Sequence, residues 1–145
     1  MPRLILKGSH NFGVAIDTPN GLTIPVVKDV QKRSLVSIAQ EIHRLSLLAK
    51  EGALKPHHFT GANFTVSNFG SIGGNVVSPT IVHSTAGIVA IGKIEDVPAL
   101  VKDAEGVPRI ETRRKATLSW SADHRVLDRA TVARRARLVN AIWRR

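Results

Sequence analysis

The sequence predicts an α/β (α+β) fold in which a mixed β-sheet is flanked by helices. Short β-rich segments alternate along the chain with two segments of helical periodicity, an order typical of a sheet covered by helices. One apolar run, Gly87–Ile94, is typical of a strand buried on both faces. A length of 145 residues with 43% hydrophobic residues suits one domain with its own core, so residues 1–145 are assigned to a single domain.

The first β-rich region predicts two strands joined by a turn. Val14–Ile16 and Leu22–Val27 are rich in β-branched residues, and Asn20-Gly21 between them is a dipeptide typical of tight turns. Thr18-Pro19 precedes that dipeptide and is expected to end the first strand.

A helix is predicted over residues 34–50. Ser34 is a suitable N-cap, Gly52 is a suitable stop, and His43 falls on the polar side, which indicates a surface histidine. The apolar residues that recur at helical spacing are Leu35, Ile38, Ala39, Ile42, Leu45 and Ala49.

The segment Lys55–Thr60 is predicted to be a connector or a single helical turn, and it contains the adjacent pair His57-His58. Neighbouring residues on a helix point about 100° apart, so this pair is poorly suited to chelate a metal. No HExxH or other metal-ligand spacing accompanies it. The sequence therefore predicts no metal site.

The middle of the chain predicts a strand that leads into a glycine-rich loop. Asn63–Ser67 is the strand, and residues 68–74 (NFGSIGG) are the loop. The loop lacks the Lys-Ser/Thr of a P-loop and the spacing of a dinucleotide site, so a turn where the backbone passes close to another segment is at least as good an interpretation as phosphate binding. Val76–Val82 is a further β-rich stretch, interrupted by Pro79, and His83 after it receives no role.

The C-terminal half predicts a hairpin tip, a strand and a helix. Pro98–Arg109 is a polar segment typical of a hairpin tip, and Ala116–Ala122 alternates like a half-buried strand. A helix is predicted from Ala130 to Trp143. Its arginines fall mostly opposite an apolar stripe that consists of Val132, Ala136, Val139 and Trp143.

The chain is strongly basic, with a formal net charge of +10. Such a charge suits nucleic acid, an anionic membrane or an anionic ligand. The positive residues cluster in two places, Arg113–Lys115 and the C-terminal arginines. Of the four Phe and two Trp residues, only Trp143 stands among them, which weakens a base-stacking surface. Solvated faces and a phosphate-bearing small ligand are the better interpretation, and neither a nucleic-acid nor a membrane partner is predicted.

Cysteine is absent, which excludes disulfides, thiolate metal sites and a cysteine nucleophile. A reducing intracellular compartment fits this composition. No apolar run approaches the roughly 18 residues that span a bilayer, and the first ten residues are too short for a complete signal or transit peptide.

The feature with most chemical content is His124, which lies between a predicted strand and a predicted helix, with Asp128 four residues later. Such junctions hold side chains rigidly and expose them to a cleft. A neutral imidazole there can take a proton from a thiol or hydroxyl and return it. The alternative is a histidine that only caps the helix, and spacing alone leaves both open.

Residues 119–128, Ser-Trp-Ser-Ala-Asp-His-Arg-Val-Leu-Asp, resemble the active-site signature of the E2 dihydrolipoyl acyltransferases of 2-oxo acid dehydrogenase complexes. Three further blocks resemble the same family in the same order, and together they cover nearly the whole chain from Asn11 to Trp143. These blocks are residues 11–18 with 21–28, residues 61–74 (GANFTVSNFGSIGG) and residues 87–92. Two of these segments, residues 67–74 (SNFGSIGG) and residues 119–125 (SWSADHR), are most similar to the branched-chain type.

The resemblance implies a fold similar to coenzyme A-dependent acyltransferases such as chloramphenicol acetyltransferase. It implies that an acyl group moves between a dihydrolipoyl arm and coenzyme A. By analogy His124 is the general base, the Ser67 hydroxyl stabilises the oxyanion, and Asp128 holds the histidine loop. The family is also trimeric, with histidine and serine contributed by neighbouring chains, so one copy alone is expected to lack a complete site.

The same resemblance implies the partners. Coenzyme A is a substrate, the lipoyl group is supplied by another domain or chain, and homotrimers build a larger core that meets the E1 and E3 components. The mitochondrial matrix is the expected compartment, with bacterial cytoplasm as the alternative.

Two departures from the family pattern keep other hypotheses open. Arg129 stands where the family has glycine, and an arginine forced to positive φ would cost about 1 kcal/mol. The chain is also expected to be truncated at both ends of the family domain: an upstream portion is absent before Arg3, and the final helix stops at Arg145 without the family's last turn and tail. An N-terminally incomplete fold is therefore expected. The alternatives are a non-catalytic core module, a basic binder of nucleic acid or another anionic partner, and a coenzyme A-dependent enzyme that acylates a hydroxyl or amine.

Overall fold

The computed structural model describes residues 5–143. Their centre is a five-stranded mixed sheet with the strand order β4-β1-β5-β6-β9. Strands β1, β5 and β6 run parallel, whereas β4 and β9 run antiparallel at the two edges. The strands are β1 (Phe12–Val14), β4 (Val26–Val27), β5 (Phe64–Asn68), β6 (Gly87–Ile91) and β9 (Leu118–Ala122). The predicted mixed sheet is confirmed.

Two helices accompany this sheet. Helix α1 (Leu35–Lys50) begins where the Ser34 hydroxyl accepts a hydrogen bond from the Ser37 amide, and Gly52 follows its end with a φ of +67°. Leu45 and Ala49 of α1 are buried, and His43 is exposed as predicted. Helix α2 (Arg129–Trp143) packs along β9. The predicted stripe residues Val132, Ala136 and Val139 are half-buried, and the side chain of Trp143 lies outside the described part. Neither helix is long and apolar enough to cross a membrane within residues 5–143.

The first β-rich region forms four short strands instead of two. β1 pairs with β4, while a separate hairpin joins β2 (Ile16–Thr18) to β3 (Gly21–Thr23). The predicted turn is shifted by one residue, because Thr18 pairs with Gly21 and leaves Pro19-Asn20 at the tip. The break between β1 and β2 falls at Ala15. The Ala15 amide donates a hydrogen bond to the Val66 carbonyl of β5, so this residue is not part of the β2–β3 hairpin.

The core has an apolar centre and an aromatic side. Val26, Val27 and the β6 residues Ile88–Ala90 are buried together with Leu45 of α1. The Phe64 ring lies 5.9 Å from the Phe12 ring and 6.0 Å from the Trp120 ring, measured between centroids. Burial of these apolar groups on both sides of β6 explains why the run at Gly87 shows no polar alternation.

Two predictions for the loops need correction. Residues 76–82 form no strand, since within residues 5–143 no strand pairs with them, and Val76 is 72% exposed. The polar segment predicted as a hairpin tip belongs to a longer hairpin of β7 (Glu95–Lys102) and β8 (Pro108–Lys115), which in the described part of the chain form a separate two-stranded sheet.

The glycine-rich loop is a close backbone crossing. A Cβ added to Gly70 would collide with the backbone of Gly92, and one added to Gly92 would collide with the carbonyl of Asn75. The Lys93 amide bonds the Gly74 carbonyl at 2.8 Å across the same crossing. Glycine is therefore required here by packing, which supports the structural interpretation of this loop.

Candidate active site

His124 lies on a tight exposed turn between β9 and α2, as the sequence predicted. The turn is fixed to the sheet because the Asp123 amide bonds the Ala86 carbonyl at 3.0 Å. It is closed by the amides of Val126 and Leu127, which both bond the Asp123 carbonyl at 2.9 Å. The imidazole makes no hydrogen bond within residues 5–143 and is exposed, so it is available to a substrate or to another chain.

Asp123 and Arg125, the residues on either side of His124, form a charged clamp across this turn. The Asp123 carboxylate accepts hydrogen bonds from the Arg125 amide at 3.0 Å and from Arg125 Nη2 at 2.7 Å. The Arg125 side chain and amide hold the pKa of Asp123 at about 2, so this carboxylate is ionised at neutral pH. Charge-assisted bonds of this kind are stronger than neutral ones. Sequence reasoning missed the clamp, although the Asp-His-Arg spacing was its available signal.

Asp128 is the N-cap of α2. Its carboxylate accepts a hydrogen bond from the Thr131 amide at 2.6 Å, and its carbonyl accepts the first helical bond from Val132. The Thr131 amide is the main reason that the pKa of Asp128 lies below its ordinary value. The helix-capping role that spacing left open for His124 thus falls to Asp128, which fixes where the histidine turn ends.

Arg129 occupies the first position of α2 and is exposed. Within residues 5–143, the non-glycine residues with positive φ are Asp29 and Ser84. Arg129 therefore does not adopt the left-handed conformation that would make arginine costly at a glycine position.

Ser67 lies inside the sheet. It pairs with Ala90 of β6 and is half-buried, near the carboxyl end of β5. Its hydroxyl makes no hydrogen bond in the described part of the chain, so it has a donor to offer. Because residues alternate along a strand, Ser67 shares its sheet face with Thr65.

One chain does not bring Ser67 and His124 together. Ser67 is level with Ala90, whereas Ala122, just before the histidine turn, is level with Gly87 at the other end of β6. Three residue steps and two strand spacings put Ser67 about 14 Å from Ala122. His124 lies two residues beyond Ala122. Ser67 and His124 of one chain are therefore too far apart to act on the same carbonyl group.

A cavity of about 430 Å³ lies between the base of the β7–β8 hairpin and α2. Ile91 and Leu118 form its apolar walls, Arg114 and Lys115 supply two cations, and Asn140 reaches it from α2. Apolar walls with two cations suit an amphipathic anion. Ile91 and Leu118 are paired with each other, one position along β6 from Ala90, which pairs with Ser67. The cavity is therefore at the Ser67 end of the sheet.

The histidine pair His57-His58 has a local structural role. It lies in the turn Pro56–His58, where His58 Nδ1 accepts a hydrogen bond from the Lys55 amide at 2.9 Å. Within residues 5–143 no cluster of three or more His, Asp or Glu side chains is placed to hold a metal ion.

The family model described as 2-oxoacid dehydrogenases acyltransferase (catalytic domain) matches residues 2–142. The chain belongs to this family. The resemblance inferred from the four sequence blocks is confirmed. This acyltransferase-family chain is 45% identical over 131 residues to the mitochondrial lipoamide acyltransferase component of the branched-chain alpha-keto acid dehydrogenase complex of Arabidopsis thaliana. The match covers 90% of this chain and 26% of the plant protein, so the chain spans about a quarter of the length of that curated relative.

Solved structures confirm the acyltransferase fold. The Azotobacter vinelandii dihydrolipoamide acetyltransferase superposes with a TM-score of 0.87 at 34% identity, covering 97% of this chain and 56% of that one. That structure belongs to a study of one serine, one histidine and one asparagine in its catalytic mechanism. A cubic core of a pyruvate dehydrogenase multienzyme complex matches with a TM-score of 0.79 at 34% identity, covering 88% of this chain and 51% of that one.

Proposed function

We propose that this chain is an acyltransferase that moves an acyl group between a dihydrolipoyl arm and coenzyme A. The observation that carries the proposal is the His124 turn, in which the Asp123–Arg125 pair and the Asp128 cap flank an exposed histidine. An exposed imidazole without a hydrogen-bond partner in the described part of the chain, on a backbone turn at a strand–helix junction, suits a general base. The family membership supplies the reaction class.

His124 takes the proton of the coenzyme A thiol, so that the thiolate can attack the thioester carbonyl. Ser67 donates its hydroxyl hydrogen to the carbonyl oxygen, which gains negative charge during the attack. The protonated His124 then returns its proton to the departing dihydrolipoyl sulfur. In the Azotobacter protein, the histidine and asparagine under study are separated by the same interval as His124 and Asp128 here, although this chain has aspartate in place of the asparagine. The shared spacing supports His124 as the counterpart of that histidine.

We propose that the site forms between two copies of the chain, with His124 from one copy and Ser67 from another. The separation of the two residues within one chain supports this arrangement. Their opposite positions on the sheet suit a heterologous, ring-forming contact. A trimer is the ring that the family resemblance implies, and the similarity to a cubic core supports its assembly into a larger core.

The substrates follow from this scheme. Arg114 and Lys115 at the basic cavity are suited to hold phosphate groups of coenzyme A. The lipoyl group comes from another domain or chain, and the E1 and E3 components would meet this domain through the complex. The name of the Arabidopsis relative supports a branched-chain acyl group and the mitochondrial matrix, with bacterial cytoplasm as the alternative compartment.

Acyl transfer from isobutyryl-coenzyme A to dihydrolipoamide tests the proposal. We expect activity in the unmodified protein and a loss of about 10²- to 10⁴-fold in His124→Ala, since a general base contributes on that scale. His43→Ala is the matched control, because His43 is an exposed histidine on α1. An inactive protein that forms trimers or larger assemblies by light scattering would contradict the catalytic function and favour a non-catalytic core module.

A further inference from the structure

The turn Pro56–His58, which lies between α1 and β5, is closed by a histidine side chain. The His58 amide bonds the Lys55 carbonyl at 2.9 Å, and the Lys55 amide in return donates to His58 Nδ1, also at 2.9 Å. In a capping box the side chain that accepts this second bond is normally Glu or Gln, which has two oxygens to accept it. Histidine can do so only while Nδ1 has a free lone pair.

The bond that closes this turn therefore requires a neutral His58. Because Nδ1 is the acceptor, the single ring proton of the neutral imidazole is on Nε2. A second proton would go to Nδ1, which would then face the Lys55 amide as one donor against another. Protonation removes the closing bond, and the ring has to leave its position.

The surroundings of His58 disfavour a positive ring. The His57 ring lies 4.1 Å from the His58 ring, measured between centroids, and the cations Arg44 on α1 and Lys28 after β4 also repel it. The nearby anion, Glu41, is already bound by Arg44 through both carboxylate oxygens at 2.8 Å. Partial burial and then the neighbouring positive charges hold the pKa of His58 below its ordinary value, against the opposing effect of Glu41.

Bonds to β1 limit how far an opening of this turn can extend. Asn11 Nδ2 donates to the Gly61 carbonyl at 2.9 Å, and the Asn11 carbonyl accepts from the Asn63 amide at 2.8 Å. These bonds fix the chain just before β5, so Ser67 should keep its position. The half-buried Leu54, just before the turn, has no such anchor beyond it and should become exposed.

We propose that His58 is a pH-sensitive switch, which closes the turn between α1 and β5 when neutral and releases it when protonated. Folding favours the neutral ring, since the pKa of His58 is lower in the folded protein than its ordinary value of 6.5. The stabilising contribution of the switch is therefore complete above pH 6.5, and it is lost as the pH falls through the lower, folded value. The switch does not depend on the acyl-transfer proposal.

Hydrogen–deuterium exchange of the assembled protein, measured by mass spectrometry between about pH 8 and about pH 5, tests the switch. The protection factor of the peptide that contains Lys55 and His58 should fall about fivefold at the acid end, as expected for one lost hydrogen bond. His58→Asn keeps an acceptor oxygen that does not titrate, so its protection should stay constant. His57→Asn removes a neighbouring positive charge and should move the opening to higher pH. His43→Asn, at an exposed histidine of α1, is the matched control and should open like the unmodified protein.

Three results would overturn the proposal: constant protection in the unmodified protein, an equal loss of protection in His58→Asn, or a simultaneous loss in the β6 peptide. The second would assign the opening to another titrating group, and the third would show that the turn opens only when the whole fold does. If His58→Asn does not fold, His57→Asn decides, because it keeps His58 in place. An opening at the same pH in His57→Asn and the unmodified protein would then contradict the switch.

Discussion

The two parts of the proposed active site are held in different ways. Ser67 is fixed by pairing within the central sheet, and its neighbours Thr65 and Ala90 are buried. His124 stands on an exposed turn whose shape depends on two neighbouring residues, Asp123 and Arg125. The first position is secured by the core, and the second by a few local hydrogen bonds. Substitutions around His124 should therefore lower activity more than stability. Substitutions around Ser67 should lower stability more than activity, unless they remove only the hydroxyl.

The largest effect outside His124 itself is expected from Ser67→Ala. Loss of one oxyanion donor lowers kcat by about 10²- to 10³-fold, while the half-buried methyl group keeps the sheet intact. Ser78→Ala, at an exposed serine in the loop before β6, is the matched control. Steady-state kinetics that gave Ser67→Ala the kcat of the unmodified protein would remove Ser67 from the chemistry.

A smaller effect is expected at the helix caps, and it separates stability from function. Asp128→Ala removes the N-cap of α2, and Ser34→Ala removes that of α1. Each should cost about 1 kcal/mol of unfolding free energy, or about 3 °C in Tm. Only Asp128→Ala should also lower kcat, because its cap ends the histidine turn.

Calorimetry and kinetics on both cap variants test this difference. Asp128→Asn keeps the capping oxygen and should recover most of the stability. Equal kcat losses in Asp128→Ala and Ser34→Ala would show that the effect is global and not specific to the turn.

The smallest effect is expected in the titration of the clamp. In the folded protein the pKa of Asp123 is about 2, below its ordinary 3.8. Its depressed pKa stabilises the fold above pH 3.8, and that contribution is lost as the pH falls toward 2. Arg125→Gln should return the midpoint of Asp123, followed by its carboxyl carbon shift in NMR, toward the ordinary value. An unchanged midpoint in this variant would show that Arg125 does not hold the turn.

The same contrast between local and long-range order explains what the sequence could predict. Helix α1, its Ser34 cap and the buried strand β6 depend on nearby residues, and all were predicted. The β-rich segment at residues 76–82 was expected to be a strand because its valines have strand propensity. It is not one, since no strand within residues 5–143 pairs with it. The hairpin arms β7 and β8 were recognised only at their tip. β7 alternates, but charged residues stand among its half-buried and exposed positions, and β8 is exposed at every residue but Glu111, so it has no apolar pattern to read.

In the proposed active site, too, the features set by local sequence could be predicted and those set by long-range pairing could not. The position of His124 at a strand–helix junction follows from local patterns, and the sequence predicted it. The Asp123–Arg125 clamp was missed: the Asp-His-Arg spacing permits the pair, but spacing alone does not show that the arginine side chain folds back onto the carboxylate. The distance between Ser67 and His124 depends on the register of β5, β6 and β9, which only the three-dimensional pairing provides.

The most direct test of the account is to mix two inactive variants, Ser67→Ala and His124→Ala, by joint refolding in equal amounts. If His124 of one copy acts with Ser67 of another, random mixing in a ring should restore intact pairs at about a quarter of the sites, and hence about a quarter of the unmodified activity. A mixture that stays as inactive as its two components, while light scattering shows mixed assemblies, would contradict the shared site.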